Sequence, residues 1–219
     1  MKRFRERLTP VLATYAETHD AFRIDHTMQV TSFGGAGTTA LCEHLLHLGV
    51  DLQKGPGQWP FKHRRTPPSA HEVPDGFRVV YPVSDPRDAI LSIFRRHYQV
   101  GHYAALHDRE PGSEAQRSLA DLDAFLGSGT DVFELADHFA RWRSHDPDYP
   151  VMFVRYEHLA DVWPQVADFV GLTPQQPALP TRARSSDWRA LPPERREQLD
   201  ALYGDLVRAI EELPPVEVT

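Results

Sequence analysis

The sequence predicts one α/β domain whose central sheet is mostly parallel and carries helices on both faces. Three observations predict it. Short apolar, β-branched runs alternate with segments of helical periodicity. The run Val151-Met152-Phe153-Val154-Arg155-Tyr156 is almost wholly apolar, as a strand covered on both faces of a parallel sheet has to be. No linker-like composition separates two cores, so residues 1–219 are read as a single domain. A domain of that length buries roughly 70–75% of its unfolded surface and needs no disulfide or metal staple.

The elements follow in order. Phe4, Leu8, Val11, Leu12 and Tyr15 stand at helical spacing across residues 3–18, with Pro10 interrupting or resetting that helix. His26 to Phe33 is the first strand, rich in β-branched and apolar residues. Gly34-Gly35-Ala36-Gly37 breaks it. From Thr38 a helix runs with Leu41, Cys42, Leu45, Leu46 and Leu48 apolar, closing at Gly49. Residues 50–76 are rich in proline and glycine and read as loop. Phe77 to Val83 is the second strand and Asp88 to Tyr98 the next helix, followed by helical patterns near 113–126 and 131–143. Val151 to Tyr156 is the third strand. A helix then covers about Glu157 to Val170, re-initiated at Pro164, and a last one lies near 193–213.

Composition excludes several functions. Apolar residues make up 41% and charged residues 25%, ordinary for a soluble globular chain. Lys plus Arg number 24 against 31 for Asp plus Glu, a formal charge of −7 that disfavours nucleic acid but permits a local basic pocket. Cys42 is the sole cysteine, so no intramolecular disulfide forms, which fits a reducing compartment. It sits among leucines and reads as a small core residue. No apolar run approaches the roughly 18–20 residues a membrane helix needs. The expectation is a cytoplasmic monomer or homodimer acting on a small molecule, with no membrane and no nucleic acid.

Strand, then Gly34-Gly35-Ala36-Gly37-Thr38-Thr39, then helix is an arrangement that can cradle a phosphate. Glycines turn backbone N–H groups inward, the helix N-terminus adds partial positive charge, and Thr38 and Thr39 add hydroxyls. A tight turn capped by threonine reads equally well from this loop alone. Thr38 stands where a nucleoside-triphosphatase P-loop needs lysine, which argues against that type of site.

The context around the loop resembles the sulfotransferases that use 3′-phosphoadenosine 5′-phosphosulfate (PAPS). Gly35-Ala36-Gly37-Thr38-Thr39 falls on the family's K-S-G-T-T signature. The strand-to-helix turn Ser84-Asp85-Pro86-Arg87-Asp88-Ala89-Ile90-Leu91-Ser92 is similar to its R-x-P-x-D-x-x-x-S signature for the 3′-phosphate. Tyr156-Glu157-His158-Leu159 and Arg182-Ala183-Arg184-Ser185-Ser186-Asp187-Trp188-Arg189 resemble two later segments, all in the family's order. Phe61-Lys62-His63, ending 21 residues before Ser84, is similar to the segment holding the family's catalytic histidine.

The resemblance implies a P-loop-like sulfotransferase fold and transfer of a sulfuryl group from PAPS to a hydroxyl, or less often an amine, with no metal. Gly34, Gly35, Ala36, Gly37, Thr38 and Thr39 would hold the 5′-phosphosulfate. Ser84, Arg87, Ser92, Arg182 and Arg184 would stand at the 3′-phosphate, and His63 would be the base, as an imidazole titrates in the useful range. Three positions depart from the pattern. Gly35 replaces the signature lysine, Ser84 replaces the arginine, and Ala40 replaces an aromatic that helps hold adenine. Lys62, with Lys54 behind it, is the expected substitute for the first charge; Arg87, Arg95, Arg182 and Arg184 for the second. Two other readings stand beside this one: an inactive nucleotide-binding protein of the same fold, and a P-loop kinase of a small metabolite.

Other features read more simply. His44 and His47 share a helix face, but no further ligand at matching spacing completes a metal site. His97, His102 and His107 recur every five residues, which spreads them around a helix; with Tyr98 and Tyr103 they line an acceptor cleft or, the simpler reading, lie on a solvated face. Trp188 either stacks on a base or anchors a core.

Overall fold

The computed structural model describes residues 24, 26–52, 62–173, 178–179 and 185–219. Four strands form one sheet in chain order: β1 (Met28–Val30), β2 (Arg78–Val83), β3 (Val151–Arg155) and β4 (Val216–Val218). β1 runs parallel to β2, with Met28 opposite Arg78. β2 runs parallel to β3, with Val79 opposite Val151. β4 closes the edge antiparallel to β3, with Met152 opposite Val218.

Alternation explains why the inner strands look uniformly apolar. Val79, Tyr81 and Val83 of β2, with Val151 and Phe153 of β3, face one core. Val80, Met152 and Val154, with Met28 and Val30 of β1, face the other. On the second side lie α1 (Thr38–His47), through Leu41, Cys42 and Leu45, and α7 (Trp163–Phe169), through Trp163, Val166 and Ala167. On the first side lie α2 (Pro86–Arg95), α3 (Gln99–His107), α5 (Leu122–Ser128), α6 (Leu135–Ser144) and α8 (Pro193–Glu211). α4 (Ser113–Ser118) sits between α3 and α5 in the chain. The α/β architecture with helices on both faces is as the sequence predicts, and so are Cys42 in the core and the long C-terminal helix.

Boundaries differ where local chemistry intervenes. The first strand is shorter than 26–33: Thr31 N still donates to Val80 O, but Ser32 N turns to Lys62 O (3.0 Å), so the chain changes partner before the glycines. α2 starts two residues early because the Asp85 carboxylate caps Arg87 N (2.9 Å) and Pro86 occupies the first turn. α2 and α3 are separated at His97, whose φ of +56° ends a helix. The pattern at 113–126 is two helices, because Asp121 caps the second through Ala124 N (2.8 Å). Residues 131–134 form a turn in which Asp131 accepts from Leu135 N (2.8 Å) and from Tyr203 Oη (2.7 Å). Tyr156–His158 is a separate 3-10 turn, and Pro164 does restart the helix that follows. The predicted helix at 3–18 lies outside the described residues.

The segment carrying Lys62 and His63 is tied to the core by a buried polar chain. His138 is fully buried; its Nε2–H donates to the Arg64 carbonyl (2.9 Å), while its Nδ1 accepts from Tyr81 Oη (2.8 Å). Trp142 Nε1 donates to the same carbonyl (3.1 Å). Burial pushes His138 down to about 3, and His102 to about 4. Below about pH 6.5 the unfolded chain therefore binds protons that the folded chain refuses, so stability falls as pH falls. We expect the urea midpoint to be highest above pH 7 and to drop steadily toward pH 4, each of the two histidines adding up to about 1.4 kcal/mol per pH unit. A midpoint equal at pH 7.5 and pH 5 contradicts this.

Candidate active site

The strand-to-helix loop sits at the carboxyl end of β1, where a parallel sheet places its ligand crevice. Gly35 has φ +69° and Gly37 φ +71°, a region glycine enters without a Cβ penalty. Space also demands glycine at both. A Cβ on Gly35 would lie 2.3 Å from Ala89 Cβ of α2, and one on Gly37 2.0 Å from the Tyr156 ring. The loop is fixed from within: Ser32 Oγ accepts from Gly34 N (3.0 Å) and bonds Thr38 Oγ1 (2.6 Å). Ser84, fully buried, reaches the Gly35 carbonyl at 3.5 Å. Among the described residues no side chain caps α1, so its first N–H groups, in front of the loop, have no partner within the helix.

That space is a cleft of about 330 Å³ lined by Gly35, Gly37, Thr38, Thr39 and Ala40 of the loop, Lys62 and His63, and Asp88 and Ser92 of α2. Arg96, Tyr98, His102, Tyr156, Ser185 and Ser186 complete its walls. Lys62 Nζ donates to Thr39 Oγ1 (2.8 Å), which puts an ammonium on the first turn of α1. Burial, with help from the charge of Arg96, holds the Lys62 pKa below the usual lysine value. Arg96 Nε donates to the Ser92 carbonyl (3.1 Å), with its guanidinium 5.2 Å from the Tyr98 ring centre.

His63 is half-buried at the cleft. Its Nδ1 meets the Ser32 carbonyl at 2.9 Å, and because a carbonyl only accepts, Nδ1 carries the proton and Nε2 keeps its lone pair. Burial and the neighbouring His102 hold His63 well below the usual imidazole range, so it is neutral near pH 7. This tautomer and charge state are those of a general base.

The structure thus brings Gly35, Gly37, Thr38, Thr39, Lys62, His63 and Ser92 to one cleft. Gly34 packs behind the loop against His102, and Ala36 is buried. Arg87 is not brought there. Its guanidinium lies 3.7 Å from the Trp188 ring centre and is engaged by Asp85 at 2.8–2.9 Å and by Asp200 at 2.5 Å. Two carboxylates therefore use the charge that the sequence reading reserved for a phosphate. The same contact answers the question of Trp188: it anchors Arg87, and its backbone N donates to Asp88 Oδ1 (2.8 Å). Arg95 turns toward Ser186 Oγ (3.4 Å) and lies off the cleft. Lys54, Arg182 and Arg184 lie outside the described residues.

Sequence reasoning missed Arg96 as a cleft residue and left Tyr98 open between an acceptor cleft and a solvated face; both line the cleft. For Arg96 the signal was its spacing of four from Ser92, which puts both on one helix face. The three spread histidines separate as the periodicity implies: His102 enters the cleft, whereas His107 stacks on Tyr103 (4.1 Å between ring centres) and bonds the Val132 carbonyl (3.0 Å). His44 packs on Trp163. Among the described residues no group of three or more His, Cys, Asp or Glu could hold a metal ion, and no helix is long and apolar enough to cross a membrane.

Comparison with protein families matches residues 73–187 to the sulfotransferase domain. No curated protein matches the chain at a significant level. The matched span covers just over half of the chain, from the approach to β2 through Ser92, Arg96 and Tyr156 to the residue before Trp188. The glycine loop, Lys62 and His63 lie ahead of it and come to the site through the packing just described. The chain belongs to the sulfotransferase domain family, and its reaction class is sulfuryl transfer.

Proposed function

We propose that the protein transfers a sulfuryl group from PAPS to a hydroxyl of a small cytoplasmic molecule. One observation carries the reading: Lys62 Nζ rests on Thr39 at the start of α1, in the same cleft as a neutral His63 with a free lone pair. Sulfuryl transfer, like phosphoryl transfer, depends on positioning and on neutralising charge at the leaving oxygen. The loop amides, Thr38, Thr39 and Lys62 would hold the 5′-phosphosulfate, with Lys62 supplying the charge that Gly35 lacks. Ser92 and Arg96 would take the 3′-phosphate. His63 Nε2 would accept the acceptor's proton as its oxygen bonds sulfur, while the bond from sulfur to the 5′-phosphate oxygen breaks and adenosine 3′,5′-bisphosphate leaves.

Thermal-shift screening tests the donor. PAPS and adenosine 3′,5′-bisphosphate are expected to raise the melting temperature, and PAPS is expected to be consumed when a panel of hydroxylated acceptors is added. Stabilisation by ATP with magnesium alone overturns the reading in favour of a kinase. Bisphosphate binding with no turnover on a broad panel favours a non-catalytic protein. Arg96→Ala is expected to weaken the bisphosphate about ten- to a hundred-fold in calorimetry, the worth of one charge-assisted contact, while 5′-AMP binding changes little. Equal losses for the two nucleotides would place Arg96 elsewhere than at the 3′-phosphate.

A further inference from the structure

The cleft holds a second histidine that the proposed chemistry does not use. His102 comes from α3, one wall away from His63, and is buried to within 8% of its surface. Its Nε2–H donates to the Phe33 carbonyl (2.8 Å), so Nδ1 is the nitrogen with a lone pair. The two imidazoles are thus pinned by the carbonyls of consecutive residues, Ser32 and Phe33, each with one acceptor nitrogen left over. Their ring centres are 4.7 Å apart at 74°. Both rings line the cleft, and among the described residues no hydrogen-bond partner meets either leftover nitrogen.

His102 is also held hard in place. It stands where a Gly34 Cβ would be, 2.2 Å from its Cε1, and its ring meets Phe133 edge-on at 5.8 Å. A ring so fixed cannot swing away to let a different group approach His63. Two neutral acceptor rings lining one cleft suit a ligand that brings two donors close together, because a ligand that fills the cleft without donors would leave both nitrogens unmet. Each leftover nitrogen lies about 1 Å from its ring centre, so the two are at most about 7 Å apart. Bonds of about 2.8 Å from hydroxyls on adjacent carbons bridge that span, and well-separated hydroxyls overshoot it. At the rim Tyr98, 55% exposed, offers a flat apolar face to the ring or chain that carries them.

We propose that the cleft reads its acceptor as a vicinal diol, His63 facing the hydroxyl to be sulfated and His102 accepting a hydrogen bond from its neighbour. Burial keeps both rings neutral, with His102 at about 4, so both remain acceptors across the physiological range. The inference rests on the sulfotransferase reading of the same cleft. It makes His102 a positioning residue that selects the substrate.

The test measures binding to protein saturated with adenosine 3′,5′-bisphosphate. Catechol is compared with phenol, and cis-1,2-cyclohexanediol with cyclohexanol, by calorimetry. In at least one pair the diol is expected to bind about tenfold tighter, the worth of one further hydrogen bond. His102→Phe is expected to erase that advantage while the mono-ol of the pair binds as before, a pattern that general damage to the fold cannot produce. Diols no tighter than mono-ols in both pairs overturn the inference with no variant needed. So does an advantage that survives His102→Phe. Failure of the bisphosphate itself to bind is a different result, which removes the functional reading first.

Discussion

His63→Ala is expected to lower turnover by about 10²–10⁴-fold, the usual contribution of a positioned base, while leaving adenosine 3′,5′-bisphosphate binding near that of the parent. The base acts on the acceptor and not on the nucleotide, so the two measurements separate its role from loop support. Loss of the bond to the Ser32 carbonyl (2.9 Å) costs about 1 kcal/mol of stability, too little to unfold a typical domain. The pH profile adds a second check. Burial holds His63 well below the usual imidazole range, so its neutral form already predominates at pH 6.5. The rate against pH is expected to stay level from about pH 6.5 to 8, with the acid limb displaced to lower pH. An acid limb at or above pH 6.5, or full activity in the variant, assigns the proton transfer to another group. Lys62→Ala is expected to slow chemistry as well, because no other cation meets the first turn of α1 among the described residues.

Gly35→Lys is expected to damage the protein, although it restores the residue type that the K-S-G-T-T pattern carries. Position 35 has φ +69°, and a Cβ there would lie 2.3 Å from Ala89 Cβ and 2.5 Å from Ala89 Cα. Both contacts belong to the first turns of α2, which cannot shift without disturbing Asp85, Pro86 and the bond from Trp188 N to Asp88. Left-handed strain and overpacking each cost about 1–3 kcal/mol, so a loss of roughly 2–6 kcal/mol is expected in urea unfolding. Activity should fall rather than rise. A Gly35→Lys protein of unchanged stability and greater turnover would show that the loop tolerates the lysine and that Lys62 is not its replacement.

The close approach of α2 to the loop explains how much of this site could be read in advance. The loop was legible only through its context: alone it reads equally well as a tight capped turn, and the later motifs in order along the chain tip the reading to a phosphate cradle. Lys62 and His63 were legible through order along the chain, and the short pairing of Ser32 N with Lys62 O is what makes that order spatial. Arg87 was misassigned because its partners, Asp85 and Asp200, are joined only by the packing of α8 on α2; nothing in the local sequence reveals that Asp200 is near. Arg96 was overlooked, and His102 left open between cleft and solvent, for the converse reason. Each is one polar residue among several on a helix, and only tertiary packing selects the one that faces the cleft. The same holds for the missed α3, where Gly101 and two histidines weaken the helical signal. The antiparallel β4 was missed too: its three residues are held by pairing with β3 and by the ion pair of Arg143 with Glu217 (2.9 Å). Two-faced burial of β2 and β3, by contrast, is written directly into their composition.

Calorimetric titration of the parent protein with adenosine 3′,5′-bisphosphate and with 5′-AMP tests the central claim most directly, since the claim is that one cleft joins a 5′-phosphate cradle at the glycine loop to a 3′-phosphate contact at Ser92 and Arg96. The bisphosphate is expected to bind at least tenfold tighter than the monophosphate, with one site per chain and with affinity reduced by Lys62→Ala. Equal affinity for the two nucleotides, or a bisphosphate site indifferent to Lys62, would contradict the account.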